Sequence, residues 1–145
     1  MTSIRKTFLL LAFLLASLAG TARAADETAA AEAAMQPWLQ KIDNHLYDRS
    51  WQDAAPSFQK AVTEKDWANA LQTARAPYGK CLGRRIASAS RQTVVASPTG
   101  AQQGDFVLAQ FHTSFERLPR AIETVTFEKV GDAWKASGYY IKPGP

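Results

Sequence analysis

A carboxylate stands where the sequence pattern asks for an apolar side chain. In the stretch 120–130 the residues alternate with the period of a strand, and Glu123 falls on the same face as Val125 and Phe127. A carboxylate on such a face must be paired, neutralised or held at a rim. Two chemistries are open to it. Aimed into a cavity between sheet and helices, it would have a raised pKa and could act as a general acid or base, with Tyr78, Tyr139 or Tyr140 as hydrogen-bond donor, as in an isomerase or lyase. Aimed at an arginine, it would be a structural ion pair, and Arg84, Arg85, Arg117 and Arg120 are all available. The guanidinium fork suits that pairing, and ion-pair networks shift acidities as catalytic sites do, so the structural pair leads.

Other groups carry weaker signals. Lys80, Arg84, Arg85 and Arg91 concentrate positive charge in one segment. This segment could meet anionic lipid head groups, wall polymers or an acidic partner, or be a solvated face partly paired with Glu123. Trp134 and Tyr140 are expected on the sheet face opposite Tyr139 and Ile141, where they could line a ligand pocket or cover a smaller cluster. His45, His112 and Cys81 lack the spacing of a zinc motif. No glycine-rich phosphate loop and no Gly-x-Ser-x-Gly elbow is present, so neither a metal nor a cofactor is expected.

The elements that would position these residues are legible from periodicity. A helix is expected from about Pro37, with Trp38, Leu39, Ile42 and Leu46 as its apolar stripe. A second stretch at 48–62 must kink or split at Pro56. A third helix starts at Thr63, capped with Asp66 three residues on, and ends at Pro77-Tyr78-Gly79. The period then changes from helical to two. Strands are expected at about 82–95, 105–116, 120–130 and 133–142, with a first loop from Ser97, a connection at Leu118-Pro119 and a hairpin turn at Gly131-Asp132. Val107, Ala109, Phe111 and Phe115 share one face, and Gln110, His112 and Ser114 the other. Short links between consecutive strands imply an antiparallel meander, and helices followed by strands an α+β domain.

The first residues look like an export signal. Arg5 and Lys6 precede an apolar run from Phe8 to Ala19, and Ala22-Arg23-Ala24 supplies the small residues of a cleavage site, so cleavage after Ala24 and a periplasmic or secreted destination are expected. The run is shorter than the roughly 20 residues of a bilayer-spanning helix. The full chain has 17 Lys and Arg against 13 Asp and Glu, a net +4. Removing Arg5, Lys6 and Arg23 leaves 14 against 13, a net +1, which takes away the case for nucleic acid. Residues 25–36, Ala-rich and without a large apolar anchor before Met35, are expected to be a linker or frayed start, and 37–145 a single domain. Cys81, the only cysteine, is expected to be a small buried residue.

Several segments together resemble an uncharacterised bacterial family, domain of unknown function 4019. They are Ser50-Trp51, Ala55-Pro56-x-Phe58, the run Trp67…Ala74-Arg75-x-Pro77-x-Gly79, Arg84-Arg85, Phe111-x-Thr113-x-Phe115, Glu123-Thr124-Val125 and Trp134…Gly138-Tyr139. The departure from the family pattern lies in the loop at 97–103. The resemblance implies helices packed on a curved four-stranded antiparallel sheet, similar to the cone of ketosteroid isomerase, a scaffold shared by enzymes and non-enzymes. It implies no catalytic residues. The leading expectation is a non-catalytic module that binds a small ligand or an envelope protein between sheet and helices, with Glu123, Arg84, Arg85, Tyr139, Tyr140 and Trp134 as candidate ligand-binding residues. The alternatives are an isomerase- or lyase-like enzyme using Glu123, and an envelope-interaction protein using Lys80–Arg91.

Overall fold

The computed structural model describes residues 4–97 and 100–145, the side chains of 4–20 and 97 excepted. The order is α1 (Ile4–Asp43), α2 (Tyr47–Gln52), α3 (Pro56–Ala61), α4 (Glu64–Ala74), a 3-10 turn (Ala76–Tyr78), then β1 (Cys81–Ser97), β2 (Gly100–Phe115), β3 (Leu118–Val130) and β4 (Ala133–Pro143). The strands form one open antiparallel sheet in sequence order. This is the expected α+β layout.

The first helix departs from expectation. Residues 25–36 are not a linker but part of α1, and Ala31 and Met35 are completely buried in the core beside Trp38, Leu39 and Ile42. These five recur at helical spacing, so the small side chain of Ala31 extends the stripe by letting the helix approach the sheet closely. Pro37 therefore lies inside the helix, on its exposed side, where the missing N–H leaves a carbonyl facing water. The helix closes where His45 adopts φ +60°. His45 N–H donates to the Ile42 carbonyl at 3.0 Å and Leu46 N–H to that of Lys41 at 2.8 Å, the Schellman closure. Leu46 thus leaves the expected stripe and is 46% exposed.

Pro56 splits the second helical stretch by becoming the first residue of α3. Thr63 caps α4, its hydroxyl oxygen accepting from Asp66 N–H at 3.2 Å. Tyr78 lies beyond that helix, in the 3-10 turn, which ends at Gly79 with φ +79°. Buried Ser50 joins the helices. Its carbonyl accepts from Trp38 Nε1 at 2.8 Å, its hydroxyl oxygen accepts from Trp67 Nε1 at 2.9 Å, and the hydroxyl donates to the Tyr47 carbonyl at 2.7 Å.

In the sheet, Val107, Ala109, Phe111 and Phe115 are buried, as are Ala121, Val125 and Phe127. Gly131 turns the last hairpin with φ +60° between paired Val130 and Ala133. The second connection is one pair earlier than expected. Phe115 pairs with Leu118 across Glu116-Arg117, so Leu118 and Pro119 belong to β3. The loop at 97–103 is also shorter than expected, since Gln102 and Gln103 pair with Val95 and Val94. Residues 98 and 99 of the loop expected from Ser97 lie outside the described residues.

β4 overturns one assignment of faces. Thr126 pairs with Gly138 but Phe127 with Ala136, so Ser137 is an inserted residue. Such a bulge reverses the alternation. Trp134 and Ala136 before it, and Tyr139 after it, consequently join or pack on the same core. Trp134 is not an exposed aromatic opposite Tyr139; it is 9% exposed, whereas Tyr140 is 62% exposed.

Candidate functional site

Glu123 has no exposed surface. Its carboxylate accepts from Arg84 Nε at 2.6 Å and Nη2 at 3.1 Å, from the Thr113 hydroxyl at 2.5 Å and from the Tyr139 hydroxyl at 2.6 Å. The strands impose this meeting. Thr113 pairs with Arg84 on one side and Ala121 on the other, while Glu123 lies opposite Phe111 and Ile141. Arg84 extends further, donating from Nη1 to Asp43 Oδ2 at 2.8 Å and from Nη2 to Oδ1 at 3.0 Å. Arg75 completes the cluster with 2.6 Å to Asp43 Oδ1 and 3.0 Å to the Gly79 carbonyl, its guanidinium 3.9 Å from the centroid of the Phe115 ring.

Two carboxylates and two guanidiniums therefore balance within a largely buried network that ties the end of α1 and the end of α4 to the sheet. Of the four arginines available to Glu123, the sheet selects Arg84. Arg117 donates instead to the Pro77 carbonyl at 2.7 Å. Arg75 and Thr113 stand in the segments that carry the family resemblance, but nothing in the sequence links them to Glu123, and Asp43 had no distinguishing signal at all. They join from separate elements, and only the helix end and strand register bring them together.

Burial alone would push the Asp43 carboxyl up, but hydrogen bonds and charge from Arg84 and Arg75 outweigh it and hold the acid below its ordinary value of 3.8. Burial lowers Arg84, yet the two carboxylates more than compensate and it stays protonated. Burial, reinforced by the Glu123 charge, pushes the Tyr139 hydroxyl well above 10.0. The signs give a stability plateau. The Asp43 contribution is complete above about pH 4 and is lost as pH falls through the lowered folded value. That of Tyr139 is complete below about pH 10 and is lost as pH rises through the elevated one. Urea midpoints across pH should show both limbs, and Tyr139→Phe should remove part of the alkaline one; an unchanged alkaline limb would contradict the assignment.

Of the six expected ligand-binding residues, Glu123, Arg84 and Tyr139 meet in the buried network, and Arg85, Tyr140 and Trp134 do not join them. Glu123 and Trp134 are buried, Tyr140 is exposed, and Arg84 and Arg85 line a groove on the sheet. Only Tyr139 lines the crevice between sheet and helices. That crevice has a volume of about 310 Å³. Its walls include Phe58, Val62, Trp67 and Val95, with Thr126 and Gly138 also lining it. None of the described residues lining it is charged. The space directly between α1 and the sheet is instead filled by Phe111, Val125, Phe127 and their neighbours.

The expected basic segment also dissolves. Arg84 turns inward, and exposed Arg91 pairs with Asp105, at 2.6 Å from Nε and 2.5 Å from Nη2. Arg85 and Lys80 remain exposed. Tyr78 stacks obliquely near Phe115, with centroids 6.1 Å apart. His45 hydrogen-bonds the Tyr47 hydroxyl through Nδ1 at 2.7 Å, and His112 is exposed. Cys81 is only partly buried, and that burial raises its thiol pKa. Among the described residues no cluster of three His, Cys, Asp or Glu side chains could hold a metal ion. Among them, too, no helix is long and apolar enough to cross a membrane.

A helix-then-sheet domain with a largely buried ionic network and a separate crevice defines an α+β class. Residues 33–139 match the family model described as protein of unknown function (DUF4019), and the chain belongs to that family. No curated protein matches the chain.

Proposed function

We propose that this chain is an exported, non-catalytic module that binds a small, uncharged, largely apolar ligand in the crevice walled by Phe58, Trp67 and Tyr139. The observation that carries this reading is the crevice itself. Its 310 Å³ falls at the small end of ligand cavities, and its aromatic walls and few polar groups match their usual lining. Tyr139 contributes its ring to the wall while its hydroxyl is held by Glu123 at 2.6 Å, so one wall is fixed before a ligand arrives. The isomerase- or lyase-like alternative has less support. Glu123 already accepts from three side chains and lines neither the crevice nor the groove. Export rests on the sequence pattern of residues 1–24; the first buried side chain described is Ala31, so cleavage after Ala24 would spare the core.

Exposed Ala70 stands at the crevice on α4. Ala70→Phe should fill the space at little cost in stability, since it lies on an exposed helix face. An environment-sensitive naphthalene dye should brighten on binding the parent chain and lose at least about tenfold in affinity with Ala70→Phe. Equal dye binding by both proteins would reject the crevice as the site.

A further inference from the structure

Strand register assembles a cationic surface that the linear sequence does not contain. Arg85 pairs with His112, His112 with Ile122, and Ile122 with Lys142, placing these four side chains in one row across the outer face of the sheet. Arg120 lies two residues before Ile122 on the same face, and Arg85, Arg120 and Lys142 are all exposed. The cluster therefore replaces the dispersed Lys80–Arg91 segment with charges from three strands.

A groove of about 610 Å³ runs over this face. Arg85, His112 and Arg120 line it together with apolar Leu82, Pro119 and Ile122. None of the described residues lining it is Asp or Glu. Arg85 and Arg120 make no ion pair within the described residues, whereas Arg75, Arg84 and Arg91 do.

The groove begins at β1, which is an outer strand of the open sheet. Three exposed large apolar residues, Leu82 at 66%, Ile86 at 39% and Val94 at 50%, lie along that strand. Its sequence from Cys81 to Ser97 holds three arginines and no acidic residue. Bulges at Leu82 and Ala87 interrupt the edge, which limits pairing to short segments.

We propose that this groove and the adjoining β1 edge bind a short extended polypeptide segment in which acidic and apolar residues alternate. Free guanidinium forks recognise carboxylates, the apolar lining takes the intervening side chains, and an open strand edge offers backbone hydrogen bonds that only a polypeptide can exploit in full. The site is separate from the uncharged crevice and stands whether or not that crevice binds a ligand.

The test uses the full chain and a fluorescein-labelled alternating Glu-Val peptide of roughly eight residues, an ordinary strand length. Anisotropy should report saturable binding that weakens with salt, and Arg85→Ala with Arg120→Ala should weaken it about tenfold or more with an unchanged melting temperature. Amide shifts in a titration should cluster at Leu82–Arg85, His112 and Ile122. No peptide binding, binding unaffected by the double substitution, or shifts confined elsewhere would overturn the proposal. So would equal arginine-dependent binding of inorganic polyphosphate or phosphatidylglycerol vesicles, which would mark a general anion surface instead.

Discussion

Replacing Arg84 with alanine is expected to destabilise the protein by about 3–5 kcal/mol, the usual cost of removing one partner from a buried ion pair. The effect should reach the upper part of that range because Arg84 serves two acids. Without it Glu123, which has no exposed surface, keeps only the hydroxyls of Thr113 and Tyr139, and Asp43 keeps only Arg75. Lysine should not rescue the loss, since four hydrogen bonds leave Arg84 from three nitrogens in a fixed fork. Urea unfolding should show the midpoint falling by on the order of 2 M. Pairing Arg84→Met with Glu123→Leu should recover part of the loss, because it removes the second buried charge along with the first. A midpoint for Arg84→Ala within experimental error of the parent would mean that the network does not hold the fold together.

That network also bears on the crevice. Tyr139 belongs to both, and Trp38 and Trp67 pack against its ring, with centroids at 6.1 and 6.2 Å. A change at Arg84 should therefore disturb a ligand at the crevice indirectly, whereas Ala70→Phe blocks it by occupancy. Comparing the two separates loss of positioning from loss of space.

The sequence made the position of Glu123 legible because alternation survives across β3, whose pairing with β2 is regular from Phe106 to Thr113. The choice of Arg84 over Arg85 was not legible. Those neighbours point to opposite faces, and the bulged Leu82 just before them sets which one turns inward. The same difficulty moved Trp134 into the core, since one inserted residue at Ser137 reverses the phase between Ala136 and Tyr139. Asp43 was invisible for a different reason. It is an ordinary polar residue at a helix end until the tertiary fold brings two arginines to it.

The Ala-rich stretch before Pro37 gives the sharpest contrast between composition and structure. Met35→Asp is expected to cost about 4 kcal/mol or more, because it buries a carboxylate with no opposing charge among apolar neighbours. Met35 is completely buried, as is Ala31 one turn earlier. Ala33→Asp, two residues away on the exposed side of the same helix, should change stability by no more than about 0.5 kcal/mol. Met35→Leu should also be mild, at less than about 1.5 kcal/mol, since it conserves volume and apolarity. A flexible linker would tolerate all three substitutions alike, and a helix packed on the sheet tolerates only the last two. Glu27 supports the packed arrangement from one turn before Ala31, through its ion pair with Lys129 and a 3.3 Å hydrogen bond accepted from Trp134 Nε1. Thermal and urea unfolding of the three variants decides the point. Equal stability of Met35→Asp and Ala33→Asp would return residues 25–36 to a linker and leave the sheet without the start of its covering helix.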